Sequence, residues 1–308
     1  MGVAIRQLPR SKVRGDFMRL IRPYMRYINS LSCPCTYQGA KQRVSKQIVD
    51  YIVSTTKVTR FTKIYDLCCG SGAITLEFLN RGILPEQVVM CDCCSWGKFY
   101  DLIGRGCFDI ETFYKYSKDV PRDKSLIQDY IKSLSKGSVD DDEAYVYLLL
   151  QAASFGGRQI YVKDNKWCNT SFRNYWQPTE TSKRRSPVNP MQPMIDVLEE
   201  RVEKLSIHCK GLKCYNTDIF DMLPIIEKDT GYKIVYIDPP YTFTSGYAHN
   251  FDYQLFIHEL RKVSDCPIFI SEKEPVFEES VQLNFSGDRG GISGNKKTKN
   301  QEWLSVKR

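Results

Sequence analysis

At 308 residues, with 42% apolar and 26% charged side chains, the chain has a globular composition and enough length to bury a large core. No apolar run approaches bilayer length, and the basic N-terminus holds no apolar segment, so neither a membrane span nor a secretory signal is expected. A formal charge of +8 fits a polyanionic partner.

Met1-Gly2 invites a myristoylation reading, but Arg6 stands where that motif needs Ser or Thr. Without an export signal, the twelve cysteines, several in adjacent pairs, suit reduced thiols in a cytoplasmic compartment. Cys33-Pro34-Cys35 and Cys91-Asp92-Cys93-Cys94 lack the gap of zinc-ligand pairs, so no metal is expected.

In chain order, residues 1–32 form a basic leader in which Arg6, Arg10, Lys12, Arg14, Arg19, Arg22 and Arg26 face only Asp16. Tyr37-Gln38-Gly39-Ala40-Lys41 then precedes Val44, Ile48, Val49 and Ile52 at helical spacing, so a glycine-bearing loop delivers Lys41 to a helix start. There it can pair with a ligand carboxylate, with Tyr37 covering it; alone, an ordinary helix N-terminus explains the run equally well. Lys63–Cys68 reads as a strand carrying Asp66, followed by Gly70-Ser71-Gly72 and a helix with Ile74, Leu76, Phe78 and Leu79. Glycines at that turn let backbone approach a ligand. The third glycine of a dinucleotide fingerprint is replaced by Thr75, and no phosphate-gripping lysine follows. Gln87–Cys91 is a second strand, ending in Asp92, an acid placed where ribose hydroxyls are gripped in such folds.

From about Gly97 to Cys214 the strand–helix rhythm is interrupted. Leu126, Ile127, Tyr130, Ile131 and Leu134 predict one helix and Ala144 to Ala153 another. Beyond Ser154-Phe155-Gly156-Gly157-Arg158, cations and aromatics interleave: Tyr161, Lys163, Lys166, Trp167, Phe172, Arg173, Tyr175 and Trp176. Such a mixture suits gripping phosphates and stacking on bases. Thr179 to Pro190 adds Lys183, Arg184 and Arg185, and Lys296, Lys297 and Lys299 form a last basic cluster. Some of this charge is simply solvated surface.

Met194, Val197, Leu198, Val202 and Leu205 then predict an amphipathic helix, and Lys213–Asn216 a strand ending near Asp218. Ile234–Ile237 runs into Asp238-Pro239-Pro240-Tyr241, placing Asp238 at the carboxyl end of a buried strand. Turn chemistry explains each of these four residues separately. Together they fit a nucleobase amine, whose lone pair is delocalised into the ring. Asp238 and the Pro239 carbonyl can accept its N–H bonds and free the lone pair, while Tyr241 stacks on a flipped-out base. Thr242–Asp252 reads as a closing loop, Ile268–Glu272 as a buried strand and Trp303–Val306 as a last edge strand.

These motifs resemble the Dam-like DNA adenine N6-methyltransferases, above all in Asp238-Pro239-Pro240-Tyr241 and in Asp66 with Gly70-Ser71-Gly72. The resemblance implies S-adenosylmethionine as cofactor and duplex DNA as partner. It places Lys41 on the methionine carboxylate, Asp92 on the ribose and Asp218 on the cofactor adenine, with Tyr37, Gly39, Asp66, Gly70 and Gly72 around them. Tyr147 to Gly157 resembles the opening of the family's DNA-recognition domain, and the motif order matches the family's α arrangement. Cytosine N4 enzymes resemble Ser-Pro-Pro-Tyr and glutamine enzymes Asn-Pro-Pro-Tyr, so Asp238 favours adenine; an adenine in RNA and a non-catalytic DNA-binding protein are the other readings. A restriction endonuclease partner is left open, as are the oligomeric state and the target sequence.

The expected architecture is therefore an α/β, Rossmann-like sheet with an inserted, mostly helical DNA-recognition domain. Its expected parts are a leader (1–32), a cofactor-binding first half (33–97), the insertion (98–215) and a second catalytic half (216–308). Arg158, Lys163, Lys166, Arg173, Lys183, Arg184 and Arg185 are the expected DNA contacts.

Overall fold

The computed structural model describes residues 30–240, 251–263, 265–284 and 301–308. The basic leader up to residue 29, Tyr241, most of the expected closing loop and the Lys296–Lys299 cluster lie outside the described residues.

The first half of the molecule alternates helix and strand. Helix α1 (Ser45–Thr55) is followed by β1 (Lys63–Leu67), α2 (Ala73–Asn80), β2 (Val88–Cys91) and α3 (Ser95–Arg105). Then come α4 (Ile110–Ser117), α5 (Lys124–Leu134), α6 (Glu143–Ala153) and a small hairpin, β3 (Tyr161–Lys163) with β4 (Lys166–Cys168). After a segment without regular elements, α7 (Ile195–His208), β5 (Lys213–Tyr215), α8 (Ile219–Lys228), β6 (Lys233–Ile237), α9 (Tyr253–Lys262), β7 (Ile268–Glu272), β8 (Glu279–Leu283) and β9 (Glu302–Lys307) complete the chain.

Seven strands make one sheet in the order β5-β2-β1-β6-β7-β9-β8. β5, β2, β1, β6 and β7 pair in parallel, and β9 runs antiparallel between β7 and β8. The strand order reverses between β1 and β6, which creates a crevice at their carboxyl ends. The alternation of side chains along each strand sorts the core into two layers. Ile64, Met90, Ile234, Tyr236 and Phe269 face α1, α2 and α3 on one side. Tyr65, Leu67, Val235, Ile237 and Ile270 face α8 and α9 on the other. Burial on both faces is why β1, β6 and β7 read as continuous apolar runs.

The structure differs from the sequence expectation in three places. The expected boundary after residue 97 falls inside α3, and β5, assigned to the insertion, is an edge strand of the large sheet. The physical reason is a close approach: a Cβ on Gly97 would lie 2.0 Å from the Asp92 carbonyl, and one on Gly104 would lie 2.1 Å from that of Leu212. Side-chain-free positions let α3 lie directly against the β5 end of the sheet. Second, the C-terminal strand is internal; β8, which the sequence reading did not pick out, forms the edge. Third, the mostly helical insertion also holds the β3–β4 hairpin, whose turn residues Asp164 and Asn165 both adopt positive φ, as two-residue hairpin turns require.

Helix α6 is buried on every side and packs against α3, α4 and α5, so it is the core of the helical insertion. Trp167 of β4 stacks on its Tyr147, with ring centroids 6.3 Å apart. No described helix is long and apolar enough to cross a membrane.

Candidate active site

The crevice at the carboxyl edge of β1, β2 and β6 is built from the turns that end these strands. After β1, Gly70 (φ +49) and Gly72 (φ +78) hold left-handed conformations that L side chains rarely adopt. A Cβ on Gly72 would meet the Tyr100 hydroxyl at 2.3 Å, and one on Gly70 would meet the Tyr37 ring at 2.9 Å. Tyr100 is fully buried and donates its O–H to the Ser71 carbonyl (2.7 Å), which fixes the turn from below. Tyr37 thus lies over the Gly70 backbone, with its ring edge-on to Trp96.

Each of three parallel strands delivers an aspartate to this edge. Asp66 is buried and accepts bonds from the Thr75 backbone N–H (3.1 Å) and hydroxyl (2.7 Å). Burial pushes its carboxyl up to about 7 against those two bonds, and the Asp238 and Asp92 carboxylates push the same way. Asp92 bridges two turns: Oδ2 accepts from the Gly70 N–H and Oδ1 from the Cys94 N–H, both at 2.9 Å. Its own carbonyl accepts from the Asn216 amide (2.9 Å), which ties β2 to the end of β5. Asp92, Cys93 and Cys94 bring a carboxylate and two thiols within 4.8 Å of one another. All twelve cysteines are free thiols.

Asp238 follows β6, anchored by its N–H to the Leu67 carbonyl (3.1 Å). Its Oδ1 lies 2.6 Å from the buried Lys41 Nζ, which also donates to the Gly39 carbonyl (3.1 Å) and stands 3.6 Å from Glu302. Pro239 is buried and Pro240 half-buried, so this strand end is held by packing as well as by its fixed φ angles. Tyr37, Gly39, Lys41, Asp66, Gly70, Gly72, Asp92 and Asp238 therefore converge on one edge. Asp218, near Cys91 at the end of β2, is exposed and caps α8, accepting from the Phe220 N–H (2.9 Å).

The insertion is fastened to this edge at several points, one of them a buried amide. Gln151 of α6 donates to the carbonyls of Gly157 (3.2 Å), Arg158 (3.1 Å) and Thr36 (3.4 Å), while its oxygen accepts from the Ile160 N–H (3.0 Å). The Gln38 N–H donates to Gly157 (2.7 Å), so the turn before Arg158 is fastened to the segment that carries Tyr37. Arg158, Lys163, Lys166, Lys183, Arg184 and Arg185 are exposed. Arg173 differs: it is half-buried, donates to the Ser154 carbonyl (3.0 Å), and burial draws its guanidinium below the usual arginine range.

Several contributors went unnoticed in the sequence. Thr75 occupied a position read only for the glycine it lacked. Asn216, Gln151 and Glu302 carry no local motif, and their contacts span long stretches of chain.

A doubly wound sheet with a glycine turn, strand-end carboxylates at its switch point and a basic helical insertion defines the class of nucleoside-binding α/β transferases. Residues 37–262 match the model of the D12 class of N6 adenine-specific DNA methyltransferases, and the chain belongs to that family. Membership implies S-adenosylmethionine-dependent methylation of adenine N6 in DNA. No curated protein matches the chain significantly.

Proposed function

We propose that the edge formed by the ends of β1, β2 and β6 holds both S-adenosylmethionine and the target adenine, and that the insertion selects the DNA site. The observation that carries this reading is the 2.6 Å pairing of Lys41 with Asp238, which joins the expected cofactor-binding lysine to the expected amine-binding acid. The residues present fit the cofactor. The acids Asp92, Asp238 and Glu302 gathered at this edge suit a ligand bearing positive charge, and the buried Lys41 suits its carboxylate.

When bound, S-adenosylmethionine supplies an electrophilic sulfonium methyl group. In this reading Asp92 takes the ribose hydroxyls, Lys41 the methionine carboxylate and Asp218 the adenine ring, with Tyr37 covering the Gly70 turn. Asp238 and the Pro239 carbonyl accept the N–H bonds of a flipped-out adenine, turning its N6 lone pair towards the methyl group, and Tyr241 stacks on the base. Pro240 stiffens the strand end. Most of the rate gain is positioning.

We assign DNA recognition to residues between α3 and α7, a narrower insertion than 98–215, because α3 and β5 support the sheet. Arg158, Lys163, Lys166, Lys183, Arg184 and Arg185 grip phosphates or base edges, and Arg173 braces the turn beneath them. The test is methylation of duplex DNA with labelled cofactor, followed by digestion to nucleosides. N6-methyladenine is the expected product; N4-methylcytosine, or label in protein alone, contradicts the reading.

A further inference from the structure

Glu302 opens β9 and is only 6% exposed. Along β9 the side chains alternate, so Glu302 shares a face with Leu304 and Val306. Those two pack in the core layer that includes Ile48, Val49 and Ile52 of α1, which fills that face with hydrocarbon. An apolar side chain would serve packing alone at position 302, whereas a buried carboxylate needs a partner. Among the described residues, Lys41, on the turn that leads into α1, is such a partner at 3.6 Å. Lys41 is equally buried, and its ammonium group meets Asp238 at 2.6 Å and the Gly39 carbonyl at 3.1 Å. Residue 302 lies beyond the span that matches the family model.

We propose that Glu302 is a positioning residue for methyl transfer: it holds the Lys41 ammonium between two acids, so that Asp238 keeps acceptor capacity for the target amine. This rests on the reading of Asp238 as the amine-binding carboxylate. Bound by Asp238 alone, the lysine charge saturates that carboxylate and weakens it as an acceptor. A second buried carboxylate divides the charge and fixes where the ammonium sits. Among the described residues, the groups that act on Asp238 from the neighbouring elements include Lys41 before α1, Asp66 on β1, Cys68 after it, Tyr236 on β6 and, across Lys41, Glu302 on β9.

The test compares the full-length protein with Glu302→Gln and Glu302→Asp in steady-state methylation across pH. Glu302→Gln keeps the shape and removes the charge. We expect kcat to fall by about tenfold while the KM for DNA changes by less than about twofold. Removing a neighbouring anion also eases ionisation of Asp238, so the acid limb of kcat/KM moves to lower pH. Glu302→Asp keeps the charge, so its acid limb stays in place and its kcat is intermediate. Native kcat and an unmoved acid limb in a folded Glu302→Gln protein overturn the proposal, as do equal losses in both variants with no movement of the limb. Where Glu302→Gln does not fold, Glu302→Asp decides: an intermediate kcat at native melting temperature supports the role, and a native kcat overturns it. Asp238→Ala assayed in parallel separates the two levels. Retained methylation there defeats the active-site reading itself, whereas its collapse beside an unaffected Glu302→Gln defeats only the role of Glu302.

Discussion

The carboxyl edge of the sheet and the basic segment of the insertion both carry charge, but they hold it differently. At the sheet edge Asp66, Asp92 and Lys41 are buried and bond to backbone groups, the Thr75 hydroxyl or an oppositely charged side chain at fixed distances. In the segment after α6, Lys163, Lys166, Lys183, Arg184 and Arg185 stand in solvent; Arg184 donates to the nearby Ser186 and Pro187 carbonyls and Arg185 to that of Glu180. On the function proposed above, the difference follows from the tasks. Methyl transfer needs groups that do not move, so it uses strand ends braced by packing. Phosphate recognition works through screened, adaptable cations, which lose little by waiting in water.

The contrast can be broken first at the rigid end. Gly72→Ala puts a methyl group into the Tyr100 hydroxyl at a left-handed backbone position, and we expect a loss of about 2–4 kcal/mol, read by chemical denaturation. An unchanged midpoint would mean that the edge is softer than its contacts imply. At the adaptable end, the combined change of Lys183, Arg184 and Arg185 to Ala should weaken DNA binding by about 30-fold at low salt and flatten the salt dependence by about one unit of slope for each phosphate no longer neutralised. Cofactor affinity and thermal stability should hold. The smallest effect concerns Asp66. Its folded-state value of about 7 lies above its unfolded value, so the native state holds an extra proton between about pH 4 and pH 7. Stability from this group therefore falls as pH rises through that window and does not recover above it. Asp66→Asn should flatten the decline and raise the melting temperature by about 2–4 °C at pH 8; a steeper decline would contradict the assignment.

The same contrast explains what could be read from the sequence. β1, β2, β6 and β7 were legible because strands buried on both faces leave largely apolar runs, and each of the three acids stood at or next to the end of its run. Asp66, Asp92 and Asp238 are local signals of this kind. The domain boundaries were less legible, because α3 joins the sheet through close contacts at Gly97 and Gly104 with residues far along the chain. β8 and the internal place of β9 were hidden for a similar reason: strand order depends on pairing, which a short apolar run does not encode. Gln151 and Glu302 read as an ordinary polar residue within a helix and an ordinary acid beside a basic stretch. Only the fold gives Gln151 its carbonyl partners and Glu302 its lysine. The hairpin was masked by a short Asp164-Asn165 turn between residues read for their charge.

The central claim is that Asp238 at the end of β6 accepts the hydrogen bonds of the target adenine amine. It is tested most directly by Asp238→Ala, with methylation and cofactor binding measured on the same preparation. The account predicts that N6-methyladenine formation falls by at least about a thousandfold while S-adenosylmethionine still binds, more weakly because Lys41 has lost its nearest carboxylate. Methylation at the native rate in that variant would contradict it.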